Sequence, residues 1–132
     1  MKPTTPGTAG DPVWQGTVRM TDGRTFITDG GMAVDAAFAK PAALPARDLP
    51  SKVLEDYLKA TQKNEYGFAD LTQAASGNTY RSPSGIMLNA TYINYLRRVA
   101  PRAARFRMTD QGRPIVVVAD GKAIAVLMPV KQ

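Results

Sequence analysis

A chain of 132 residues, 44% of them hydrophobic and with a formal net charge of +6, has the size and make-up of one globular domain with one core. It contains no cysteine and no histidine, which excludes disulfides, thiol nucleophiles, thiolate metal sites and a Ser-His-Asp triad. No run approaches the roughly 20 apolar residues of a membrane span, so a soluble, cytoplasmic protein is expected.

The first residues, from Met1 to Gly10, are rich in Pro, Gly and Thr and carry no apolar stretch behind Lys2. Residues 1–12 read as a mobile tail without signal-peptide character, and 13–132 as the single domain. Trp14, Val18 and Met20 share one parity and predict a half-buried strand. Asp22-Gly23 then makes a hairpin turn to a strand over 24–28, and Asp29-Gly30-Gly31 turns into a third strand over 32–38, with Met32, Val34 and Phe38 on one face. Pro41, Pro45 and Pro50 predict an extended crossing over 40–50. Val53, Leu54, Tyr57 and Leu58 form the buried stripe of a helix that starts near Ser51, with Lys52, Glu55, Asp56, Lys59 and Lys63 outside.

A strand over 66–73 follows, then a polar loop over 76–85 that holds a short strand near 79–81. Ile86-Met87-Leu88 reads as a strand, and Asn89 caps a helix with Ile93, Leu96 and Val99 inward, ended by Pro101. Arg105–Met108 alternates charged and apolar side chains, 114–119 is a β-branched run, Asp120-Gly121 is a two-residue turn, and 123–130 is the last strand. The segments 49–60 and 88–99 look like weak copies, carrying Tyr57-Leu58-Lys59 and Tyr95-Leu96-Arg97. The expected fold is α+β: duplicated β-α-β-β-β units with two helices packed on antiparallel sheet.

The acids suggest no catalysis. Asp22, Asp29 and Asp120 precede glycine, as turn residues do, and Asp35, Glu55, Asp56 and Asp70 form no catalytic spacing. A non-enzymatic binding domain with no cofactor and no metal is expected.

Three segments carry a family resemblance: Leu88-Asn89-Ala90-Thr91-Tyr92-Ile93, Thr109-Asp110-Gln111-Gly112-Arg113-Pro114-Ile115-Val116-Val117, and Val126-Leu127-Met128-Pro129-Val130-Lys131. In order and spacing they resemble the C-terminal domain of the bacterial DNA sliding clamp, the beta subunit of DNA polymerase III, over roughly residues 85–131. Before Gly85 the likeness is one of element order only. The resemblance implies a clamp-like domain whose two helices lie side by side across the sheet; helices on opposite faces would end that reading.

It also implies two surfaces. A peptide-binding pocket for replication and repair proteins would comprise Tyr92, Gly112, Pro114, Met128, Pro129 and Val130. The alternative for these residues is plain packing, with Met128 and Val130 the inward face of the last strand and Tyr92 a lid on the core. A DNA-facing surface would comprise Arg97, Arg98, Arg102 and Arg105, with Arg107 in the same acid-free run and Lys59 and Lys63 on the other helix. It would bind duplex phosphates without sequence preference and with strong salt dependence. The alternative is a solvated helix face and strand edge. The functional expectation is a sliding-clamp-like module that binds DNA, replication and repair proteins, or both, with homo-oligomer formation open. The competing reading is an accessory or inhibitor protein of mobile-element type that uses the fold only to recognise proteins.

Overall fold

The structure, a computed structural model, describes residues 11–59, 64–109 and 112–130. Its first half runs β1 (Gly16–Arg19), β2 (Thr25–Thr28), β3 (Met32–Asp35), α1 (Ala36–Ala39), β4 (Asp48–Leu49), α2 (Lys52–Lys59) and β5 (Asn64–Gly67). A 3-10 turn over Phe68–Asp70 leads to β6 (Thr72–Gln73), β7 (Thr79–Arg81), β8 (Met87–Asn89), α3 (Ala90–Val99), β9 (Arg105–Met108), β10 (Ile115–Ala119) and β11 (Lys122–Leu127). Eight strands form one sheet in the order β4-β1-β2-β3-β11-β10-β9-β5, and β6-β7-β8 form a second. Every pairing is antiparallel except the two-residue contact of β4 with β1. The α+β class is as expected.

All five residues of β10 are buried, because the large sheet is covered on both faces at its centre. Ile115, Val117 and Ala119 join the core that holds Ile93 and Leu96 of α3, Tyr80 of β7 and Leu88 of β8. Val116 and Val118 join a second core with Val18, Phe26, Ala33, Val126 and Leu54 of α2. Alternating side chains of one strand therefore serve two cores. The two helices lie on opposite faces of the sheet, not side by side, and this corrects the arrangement that the clamp resemblance implies.

The duplication of β-α-β-β-β units is not seen in the pairing either. After α3 the strands β9, β10 and β11 form a continuous meander. After α2 the strands separate: β5 pairs with β9 in the large sheet, whereas β6 and β7 pair in the small one. The shared Tyr-Leu-basic triplets reflect only that both helices are amphipathic and carry basic residues in their last turn.

Other departures have local causes. Trp14 precedes β1 and stacks edge-on against Tyr95 of α3, ring centroids 5.6 Å apart, while Val18 and Met20 face the α2 core. The strand expected over 32–38 stops at Asp35, whose carboxylate accepts the Ala37 amide at 2.9 Å and opens the one-turn α1. The strand expected over 66–73 breaks where Asp70 accepts the Gly67 amide at 2.8 Å. The last strand ends at Leu127; the following residues leave the sheet, with Met128 donating its amide to Gly31 and Val130 to Met87, both at 2.9 Å.

The hairpin turn at Asp120-Gly121 has positive φ at both residues (52° and 76°), the geometry that matches strand twist. Beyond it, Val117 faces Ala125 but Val118 faces Ala123, so Ile124 is the extra residue of a bulge. The bulge lets Ile124 and Ala125 both enter the α3 core. Asn89 caps α3 as expected, its side chain accepting the Thr91 amide at 2.8 Å.

Both ends of the large sheet are blunted. β4 is two residues long and lies between Pro45 and Pro50. At β5 the Gly67 amide is taken by Asp70, and the Glu65 carbonyl receives Arg105 Nη2 at 3.4 Å.

Two-sided burial has a direct test. Val116→Thr and Val117→Thr each place a hydroxyl in a different core and should each cost about 1–3 kcal/mol in urea unfolding. A near-neutral Val116→Thr would show that the α2 side is solvated.

Candidate functional site

The acid-free run of arginines meets acids from elsewhere in the chain. Arg105 and Arg107 both pair with Glu65 on the adjoining strand, at 3.3 and 3.0 Å, and the Arg107 bond holds the Glu65 carboxyl below the ordinary glutamate range. Arg98 pairs with Asp11, a residue in the stretch read as tail, and sits over the Tyr95 ring. Arg97 lies over the rings of Phe68 and Tyr80, 5.3 and 5.5 Å from their centroids. Arg102 is exposed and has no acid partner among the described residues.

Placement divides the group further. Arg97 and Arg98 belong to α3, while Arg105 and Arg107 share the sheet face of Val118 and Val116, the α2 side. Lys59 is on α2, across the sheet from α3. Lys63 lies outside the described residues. What the fold does bring together is Arg97, Arg102 and Arg105, around a cleft of about 660 Å³ at the β5 edge that Gly67, Phe68 and Asp70 complete.

The six residues expected to form a peptide pocket lie together at one end of the sheet, where Ile115 faces Leu127 and Leu127 faces Met32. Tyr92 of α3 lies against Gly31 so closely that a Cβ there would collide with the phenol oxygen. Gly31 in turn accepts the Met128 amide, and Val130 is tied to Met87 of β8. Pro114 is half-buried before β10, and Gly112 is exposed with open space where a side chain would stand. Pro129 is half-buried between the two strap bonds. Of the six, only Met128 lines an apolar groove.

That groove lies on the α2 side, with a volume of about 170 Å³. Val18 and Leu49 form part of its floor, Leu54 and Tyr57 one wall, and Val53 and Met128 belong to its rim. Val53 is 56% and Met128 36% exposed, which makes them two of the four large apolar side chains left exposed among the described residues; Val13 and Leu44 are the others. The helix is fixed above the sheet by Glu55, which receives hydroxyls from Ser51 of its own start and from Thr21 of the β1–β2 turn, both at 2.5 Å. These bonds hold the Glu55 carboxyl below its usual value.

Sequence reasoning assigned Val53 to the buried stripe of its helix and so missed the groove. The available signal was the width of that stripe: apolar residues at 53, 54, 57 and 58 cover more of the helix circumference than one sheet face can bury. Phe68 and Asp70 of the cleft carried no signal, because they reach the arginines only through the β5–β9 pairing.

No family model matches the chain, and neither a curated protein nor a solved structure matches it. Among the described residues no helix is long and apolar enough to cross a membrane.

Burial, and then the bond to Asp29, push the Tyr92 phenol up to about 12. A raised folded value favours the neutral form in the native state, so its contribution is complete below the unfolded value near 10 and is lost between about pH 10 and 12. Burial also raises Tyr95. Tyr92→Phe should therefore flatten, without abolishing, the fall in unfolding free energy above pH 10; an unchanged slope would place the Tyr92 hydroxyl in solvent.

Proposed function

We propose that this chain is a non-catalytic protein-recognition domain that binds a short peptide segment through the groove between α2 and the large sheet. The observation that carries this reading is the pair of exposed apolar side chains, Val53 and Met128, on the rim of an apolar groove. An apolar lining with few side-chain donors, supplied by Thr28 and Tyr57, suits an aliphatic or aromatic anchor rather than a polar ligand. Methionine at the rim can adjust to the anchor that enters.

The size of the patch favours a peptide over a second copy of the chain. A standard interface buries about 800 Å² per partner around an apolar centre. Four exposed apolar side chains, two of them outside the lining of the groove, do not form such a centre. The blunted sheet edges also disfavour recognition by strand addition.

With α2 and α3 on opposite faces the sliding-clamp resemblance of residues 88–93, 109–117 and 126–131 no longer supplies a partner class, and the partner is defined by the groove alone, as a segment with an apolar anchor. The helix arrangement favours the second expectation, a protein that recognises other proteins without encircling DNA. Duplex binding is weakened as a reading by Glu65 and Asp11 beside the arginines and by the separation of Lys59 from α3.

The experiment uses a labelled ten-residue peptide with Leu and Phe at alternate positions, which an extended chain presents on one face, and a control with Ser at those positions. Fluorescence anisotropy should show saturable binding of the first only. Val53→Asp and Met128→Asp should each weaken it at least tenfold while changing stability by less than about 1 kcal/mol, since both side chains are exposed. Equal binding of both peptides, or an undisturbed Val53→Asp, would overturn the reading.

A further inference from the structure

We infer that the cleft at the β5 edge is an oxyanion site for a phosphate monoester group, carried by a small molecule or present as free phosphate. This site is independent of the groove. Three strand spacings separate β11, the nearest strand that lines the groove, from β5, about 14 Å at the usual spacing.

Three arginines line this one edge cleft, from three different places in the chain. Arg97 comes from the last turn of α3, Arg102 from the turn after it, and Arg105 from the start of β9. Two of them are held in place before any ligand arrives. Arg97 is fixed between the Phe68 and Tyr80 rings and donates to the Phe68 carbonyl at 3.4 Å. Arg105 is fixed by Glu65, through its side chain at 3.3 Å and its carbonyl at 3.4 Å. A planar fork locked by packing loses less freedom on binding an oxyanion than a free side chain does. Arg102, which has no acid partner among the described residues, is the mobile third arm.

Gly67 lies against the tip of Arg105. Its backbone is extended (φ −92°, ψ 176°), a conformation open to any residue. A side chain there would instead meet Arg105 Nη1 at 3.0 Å. A side chain at 67 would therefore nudge the guanidinium by a few tenths of an ångström.

The local charge is favourable but not overwhelming. Arg97, Arg102 and Arg105 line the cleft with Asp70, two net positive charges, and Glu65 beside Arg105 is shared with Arg107. Asp70 already turns one oxygen to the Gly67 amide, which leaves the arginines the outward donors of the cleft. Such an arrangement matches one compact dianion with several acceptor oxygens. It is a poor match to a duplex, whose phosphates lie in a spaced row and would need cations spread along a surface.

The test is calorimetric titration of the full chain with inorganic phosphate and with glycerol phosphate, at fixed ionic strength, against chloride. Saturable binding of either phosphate is expected, and the tighter of the two identifies the source. Arg102→Ala should weaken it about tenfold with folding unchanged, because the side chain is exposed. Gly67→Ala should weaken it by displacing Arg105, whereas Arg113→Ala, outside the cleft, should leave it unaltered. No phosphate binding, an Arg102→Ala variant equal to the parent, or an equal loss in Arg113→Ala would overturn the proposal. So would binding of a duplex oligonucleotide in strong preference to both phosphates. Phosphate binding does not depend on Val53 or Met128, so this site and the peptide groove fail or stand separately.

Discussion

The join between β10 and β11 organises the molecule. Val116 and Val118 point one way along β10 and Ile115, Val117 and Ala119 the other, so one strand has to match two separate cores at once. A sheet with only one buried face tolerates polar residues at every second position; this one cannot at its centre. The bulge at Ile124 adjusts the match. It sends two consecutive side chains of β11 into the larger core and lets Val126 return to the smaller one. Were Ile124 paired in a regular ladder from the turn, Val126 would face Ile115 and enter the wrong core.

The two covers of the sheet differ in kind. On one face α3 is packed between the large sheet and the three-stranded sheet, with Tyr80 donating its hydroxyl to Asn94 at 2.9 Å, and the cover is thick. On the other face a two-turn helix stands alone, packed nearest β11, and leaves its Val53 side partly open. The groove follows from this inequality, because it opens beside a helix whose Val53 side is left partly exposed.

Much of the fold was legible in the sequence, and the limit was consistent. Turn chemistry at Asp22-Gly23, Asp29-Gly30 and Asp120-Gly121, the Asn89 cap and the proline-rich crossing all depend on neighbours within a few residues, and all are found in place. The faces of the helices were not legible, because periodicity says that α2 and α3 each have an apolar side but not which side of a sheet it meets. The unbroken apolar run of β10 did contain the hint, since a strand buried on both faces has no polar alternation. Likewise the arginine run reads as bare charge only until β5 brings Glu65 beside it.

The strand order also governs how the chain can reach this structure. β1, β2 and β3 are joined by short turns, as are β10 and β11, so each group can assemble from nearby residues. The seam that unites them pairs Val34 with Ala125, about ninety residues apart. Until that seam closes, β3 is itself an edge, with none of the blunting found at β4 and β5, and it carries Met32 and Val34 uncovered. Closure of so long a loop is slow, and an unprotected apolar edge is the template on which strands of other molecules add. The finished sheet is guarded at both ends; its exposure to misassembly falls in the interval before its last strand arrives.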